Sequence, residues 1–156
     1  MTRREGLALA ASALVVILTG CGGGGGGGTT TPTQTGPTQA RITVTATSPV
    51  VSFSPRVGFT YRVSVPATIT ESAGLGANIN YARLRQIYQG LEVERSEISS
   101  ADLIASTGSN RLNASSTRNI TLIYDVNDPR PTSGILTFNF TDDRGNTQAV
   151  DFTIVY

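Results

Sequence analysis

The chain has no lysine, no histidine and no tryptophan, and a single cysteine, Cys21. Each absence removes a class of chemistry. Without histidine or a second cysteine there is no Ser-His-Asp triad, no Cys-His pair and no thiolate or imidazole zinc site. Without lysine there is no Schiff base and no Ser-Lys dyad. One cysteine cannot build a disulfide framework. What survives is carboxylate or tyrosine chemistry, and two acids somewhere in a chain specify nothing by themselves. The sequence is therefore read as a non-catalytic protein that needs no cofactor.

Long apolar runs are also missing. The longest, Leu7 to Leu18, has 12 residues broken only by Ser12, whereas a membrane-spanning helix needs about 20. Arg3 and Arg4 precede it, so the opening reads as a basic n-region followed by an apolar h-region, the pattern of a secretory signal. A permanent transmembrane helix is the alternative, and Gly20 with the glycines after Cys21 argues against it.

Leu18-Thr19-Gly20-Cys21 closes that segment. It resembles the lipobox of bacterial lipoprotein signal peptides: an aliphatic residue, a small residue, Gly or Ala, then Cys. The resemblance implies a diacylglycerol on the Cys21 thiol, cleavage before Cys21 and acylation of the new amino terminus. An ordinary signal peptide would end in an A-x-A-like triplet, which Leu-Thr-Gly is not. Several acyl chains anchor stably, each buried CH₂ contributing about 0.8 kcal/mol. The expected membrane partner is thus reached through lipid on Cys21, with palmitate among the expected acyl groups. The expected address is a bacterial cell envelope, its outer membrane where one exists, because Gly22 follows Cys21.

Seven glycines, Gly22 to Gly28, come next, then TTTPTQTGPTQA to Ala40. This composition cannot pack and carries no charge, so it reads as a tether stiffened by Pro32 and Pro37. Its 19 residues span roughly 25 Å as coil and about 65 Å fully stretched. A phosphate-cradling loop would need a following Lys-Ser/Thr and a helix, and neither is present. The organisation expected is a signal peptide at 1–20, lipidated Cys21 and linker over 21–40, and one domain over 41–156. Beyond residue 20 the chain carries ten arginines against ten acidic residues. A neutral chain lacks the positive field that nucleic acid binding relies on, so nucleic acid is excluded as a partner.

From Arg41 onward apolar and polar residues alternate. Ile42, Val44 and Ala46 form one series, and Phe59, Tyr61, Val63 and Val65 a second. Ile120 to Val126, Leu136 to Phe140 and Val150 to Tyr156 give three more. Period two means one buried and one wet face, the geometry of antiparallel sheet. Ile79 to Tyr88 predicts a strand whose parity slips near Ala82 to Leu84, as at a bulge. A shorter strand is expected around Leu91 to Glu94, and one helical turn or two over Ser100 to Ser106. Ser99 to Asp102 reads as that helix's capping box and Gly108 as its stop. The predicted fold is all-β, a single antiparallel sandwich of about seven strands. Its size and strand count are similar to an immunoglobulin-like (Ig-like) module, without the Cys…Trp…Cys core of antibody domains.

The C-terminal hairpin has a predicted register. Directly opposed residues share a face, and Leu136, Phe138, Val150 and Phe152 must all point inward. A loop of Asp143-Arg144-Gly145 satisfies this, pairing Phe138 with Val150 and Leu136 with Phe152. A two-residue loop would flip one strand.

Candidate binding residues are few. Asp125-Val126-Asn127-Asp128 resembles the D-x-N-D calcium linker of cadherin repeats, which would make Asp125, Asn127 and Asp128 ligands. The competing reading, which the following Pro129 favours, is an Asx-type turn with no metal. Glu92, Glu94, Glu97 and Asp102 form an acidic patch beside Arg95 and Arg111. Asp142, Asp143 and Asn146 fall at the hairpin tip, where turn chemistry accounts for them. The leading expectation is a lipid-anchored, non-catalytic envelope domain for binding, adhesion or accessory-subunit contacts, its partner an unidentified protein or carbohydrate. The alternatives are a calcium-dependent binder, a small carboxylate-based hydrolase, or a passive structural lipoprotein.

Overall fold

A computed structural model describes residues 36–127 and 133–156. The signal segment, Cys21 and the glycine run lie outside the described residues, as does Asp128. The described chain forms nine strands and one helix, two strands more than the alternation predicts. The additions are short pieces that carry too few residues to show a period: β2 (Val50–Phe53) and β6 (Arg111–Leu112).

The elements make two antiparallel sheets. In the first, β3 (Tyr61–Glu71) is central and β7 (Thr117–Val126) pairs along one side of it. β1 (Ile42–Ala46) and then β2 share its other side, opposite 67–71 and 61–64 respectively. The break between them has a local cause. Pro66 sits inside β3, and its carbonyl accepts the Thr47 N–H at 3.1 Å. The N–H that proline lacks would therefore face the same edge, so no continuous edge strand can pair there.

The second sheet has the order β5-β4-β8-β9, from β4 (Ala77–Tyr88), β5 (Leu91–Ser99), β8 (Ser133–Asp142) and β9 (Thr147–Val155). β6 adds to β4 above β5. The strand expected at Leu91 to Glu94 thus runs five residues further. It was hard to read because none of its residues is fully buried. β4 has the expected irregularity, but not at Ala82 to Leu84. Its register with β8 shifts between Ile79 and Tyr81, and with β5 between Gln86 and Ile87. The first shift restores the inward phase of Ala82, Leu84 and Gln86.

Between the sheets lie Val63, Val65, Ile69, Ile79, Leu84, Leu122, Leu136, Phe138 and Phe140, all essentially inaccessible. The helix α1 (Ser100–Thr107) buries Leu103. Its first turn is closed as predicted. Ser99 accepts the Asp102 N–H, the Asp102 side chain accepts the Ser99 N–H, and Gly108 ends the helix.

The hairpin register is the predicted one, with Leu136 opposite Phe152 and Phe138 opposite Val150. The Gly145 N–H donates to the Asp142 carbonyl at 2.9 Å, and Gly145 has φ 84°. That left-handed position closes a three-residue loop without the steric cost a side chain would add.

Candidate functional site

The two ends of the sandwich differ. At the end where the described chain begins, two carboxylates are built into the fold. Glu71 continues the inward phase of β3, and its side chain is buried. One oxygen accepts the N–H of Arg41 (3.2 Å) and Ala73 (2.7 Å), the other that of Gly74 (2.9 Å) and Ser115 (2.8 Å). Burial pushes its pKa up, but the four N–H groups outweigh burial and hold it below its ordinary value.

Asp142 does the same from the other sheet. It accepts the N–H of Ala40 (3.0 Å), Arg144 (2.9 Å) and Asn146 (2.9 Å), together with the Asn146 side-chain amide. Here too burial raises the pKa and the hydrogen bonds win, bringing it to about 2. Asp142 and Asn146 were expected to do turn chemistry alone. The structure corrects that: Asp142 reaches across to the start of the domain, and the Asn146 amide donates to the Thr38 carbonyl at 2.9 Å. Packing therefore starts at about Thr38 rather than Arg41.

The neighbouring N–H groups of Ala40 and Arg41 are thus gripped by carboxylates from opposite sheets. Asp143 completes this end with a bidentate pair to Arg111 at 2.6 and 2.7 Å. The pair lies over Gly76, where a Cβ would run into the Arg111 guanidinium and the Asp143 carboxylate. These groups fasten the backbone and loops at this end of the domain.

On one side, the edges of β5 and β7 leave a groove of about 580 Å³. Its rim carries Arg56, Phe59, Glu94, Arg95, Glu97 and Asp102, and its floor includes Tyr124 and Leu122. Glu94, Glu97 and Asp102 of the acidic patch seen in the sequence land here and Glu92 does not, and each of the four already has a partner. Glu92 pairs with Arg95 at 2.7 Å, and Glu97 with Arg83 at 2.7 Å. Glu94 accepts the Asn127 N–H at 2.9 Å, and Asp102 caps α1. Burial drives the Tyr124 phenol strongly upward, and its hydroxyl has no hydrogen-bond partner among the described residues.

Of the calcium candidates, Asp128 lies outside the described residues, and Asp125 and Asn127 each have other partners. Asp125 is held by Arg62 at 3.0 and 3.2 Å and by the Ser54 hydroxyl at 2.8 Å, the Arg62 bond being the main cause of its lowered pKa. The Asn127 side chain accepts the Thr60 N–H at 3.1 Å. Among the described residues no group of three or more acidic, cysteine or histidine side chains could hold a metal ion. Neither does any described helix have the length and apolarity to cross a membrane.

The residue missed in the sequence is Glu71, and for Asp142 the sequence showed the turn but not the reach to Ala40. A signal was available, since each continues the inward phase of an otherwise apolar strand at its end. An acid in that position is either an interruption or a buried, fully bonded carboxylate.

Comparison with known proteins adds little. No family model matches this chain, and no curated protein does. Among solved structures, one similar chain is a Bordetella pertussis protein provisionally named ApaA. It is 14% identical, with a TM-score of 0.46, and the match covers 74% of this chain and 94% of that one. Another is a structural-genomics target, SoR45, at 16% identity and a TM-score of 0.42, covering 75% and 86%. Likeness at this level carries no functional inference.

Proposed function

We propose that this is a lipid-anchored, non-catalytic Ig-like domain that makes binding contacts at a bacterial cell envelope. The observation that carries the reading is Leu18-Thr19-Gly20-Cys21 standing after a basic and an apolar segment and before an unpackable tether. The two-sheet fold supports the domain's part. Its strand order, β1/β2-β3-β7 against β5-β4-β8-β9, is consistent with an Ig-like sandwich. Such a sandwich presents loops at both ends and strand edges along its sides.

The non-catalytic part rests on chemistry. The sequence lacks the usual nucleophile–base pairs, and the described carboxylates around the groove are each bound to a cation, a backbone N–H or a hydroxyl. A general acid or base needs a proton it can exchange with substrate. Fractionation tests the anchor. The full-length chain should partition with membranes, and Cys21→Ser should accumulate as unprocessed precursor. A Cys21→Ser chain that is processed and localised like the parent would remove the proposal. Affinity capture from solubilised envelopes separates a partner-binding role from a passive structural one.

A further inference from the structure

The exposed large apolar side chains are unevenly distributed. Among the described residues there are ten, and nine lie in the half of the sandwich away from Ala40. The exception is Ile104 on α1. The most exposed stand at that far end. Val57 (98% exposed) is in the β2–β3 loop, with Phe53 (81%) at the loop's base. Leu91 (71%) follows the β4–β5 turn, and Val155 (67%) ends β9. The end where the chain begins, by contrast, is closed by Glu71, Asp142 and the Arg111–Asp143 pair.

We propose that this far end is a bilayer-contacting surface, the loop from Phe53 to Phe59 inserting its apolar side chains at the headgroup boundary of the membrane that carries the anchor. The proposal rests on the lipid-anchor reading for the nearness of that membrane. Three observations select a bilayer over a protein. The most exposed apolar groups belong to different chain segments, the β2–β3 loop, the β4–β5 turn and the end of β9, and a fluid interface conforms to separate segments. The Ser54–Thr60 loop has Arg56 as its sole charge and no carboxylate, which suits anionic headgroups. The Arg56 guanidinium lies 5.0 Å from the centre of the Phe59 ring, an apolar stem with its charge at the tip, as interfacial arginines are placed.

Geometry allows it. The tether joins at the opposite end, and β3 with 11 residues makes the sandwich about 35 Å long. The 16 residues from Gly22 to Pro37 reach about 55 Å when stretched, enough for the domain to lie with its apolar end on the anchoring membrane.

The test uses residues 21–156 carrying Cys21→Ser, so that no acyl chain contributes, mixed with 3:1 phosphatidylethanolamine/phosphatidylglycerol vesicles and sedimented. The protein should pellet with lipid. Phe53→Ser with Val57→Ser should weaken partitioning about a hundredfold, as expected for removing two exposed large apolar groups from the contact. Ile104→Ser, away from this end, should leave it unchanged, and cooperative melting of each variant confirms folding. Failure to pellet, or equal loss with Ile104→Ser, overturns the proposal. So does a concentration-dependent dimer abolished by Phe53→Ser, which would give the surface to a second copy. None of these outcomes depends on whether Cys21 is lipidated, which mass spectrometry decides separately.

Discussion

Replacing Glu71 with Gln changes one oxygen for an amide of nearly the same shape, so its cost isolates the carboxylate's role. Each oxygen of Glu71 serves two backbone N–H groups. Whichever way the glutamine amide is turned, its NH₂ must face two N–H donors, and two of the four bonds are lost. Buried hydrogen bonds to a charged acceptor contribute about 1.5–3 kcal/mol each. Glutamine avoids burying a charge, which returns part of that, leaving a loss of about 3 kcal/mol. For a domain of this size that lowers Tm by about 12 °C. The pH dependence has a defined sign. Glu71 has a folded pKa below its ordinary 4.5, so its stabilisation is complete above that value and disappears as pH falls through the folded pKa. The variant has nothing to titrate there. The gap between parent and Glu71→Gln, read by calorimetry or circular dichroism, should be full at pH 7 and shrink steadily below pH 4.5. A gap under about 1 kcal/mol at pH 7, or one unchanged from pH 7 to 3, would refute the reasoning.

The other predictions follow the same fastenings. Asp142, with its pKa at about 2, should lose its contribution only between about pH 4 and pH 2, so Asp142→Asn should flatten acid unfolding in that window. Gly76→Ala should split the Arg111–Asp143 pair, whose side chains are part exposed, with a small fall in melting temperature that should largely vanish in an Arg111→Ala background. Gly145→Val should destabilise by about 1–2 kcal/mol while Gly145→Asn costs less, because φ 84° resists a β-branched residue. Thermal melts in millimolar calcium and in chelator should coincide, since Asp125 is occupied by Arg62 and Ser54; a shift of several degrees would restore a site at Asp125 and Asn127.

Legibility followed the physics of each element. The β8–β9 register was readable because two inward-facing series and one positive-φ glycine constrain the same loop. The helix was readable from its caps, which are local. β2 was not, since four exposed residues, VVSF, have no burial period to display, and its existence depends on where Pro66 breaks the opposite edge. Phe53 and Val57 likewise belong to no alternating series, so their exposure shows only in the structure. The polar groove was legible as a list of acids, whereas the partners that neutralise each acid come from strands distant in sequence.

The central claim is the anchor on Cys21, and the most direct measurement is mass spectrometry of the mature amino terminus from a bacterial envelope. The account predicts a first residue Cys21 carrying diacylglycerol on sulfur and an acyl group on its amine. A free thiol at Cys21, or cleavage elsewhere with no added acyl mass, would contradict it.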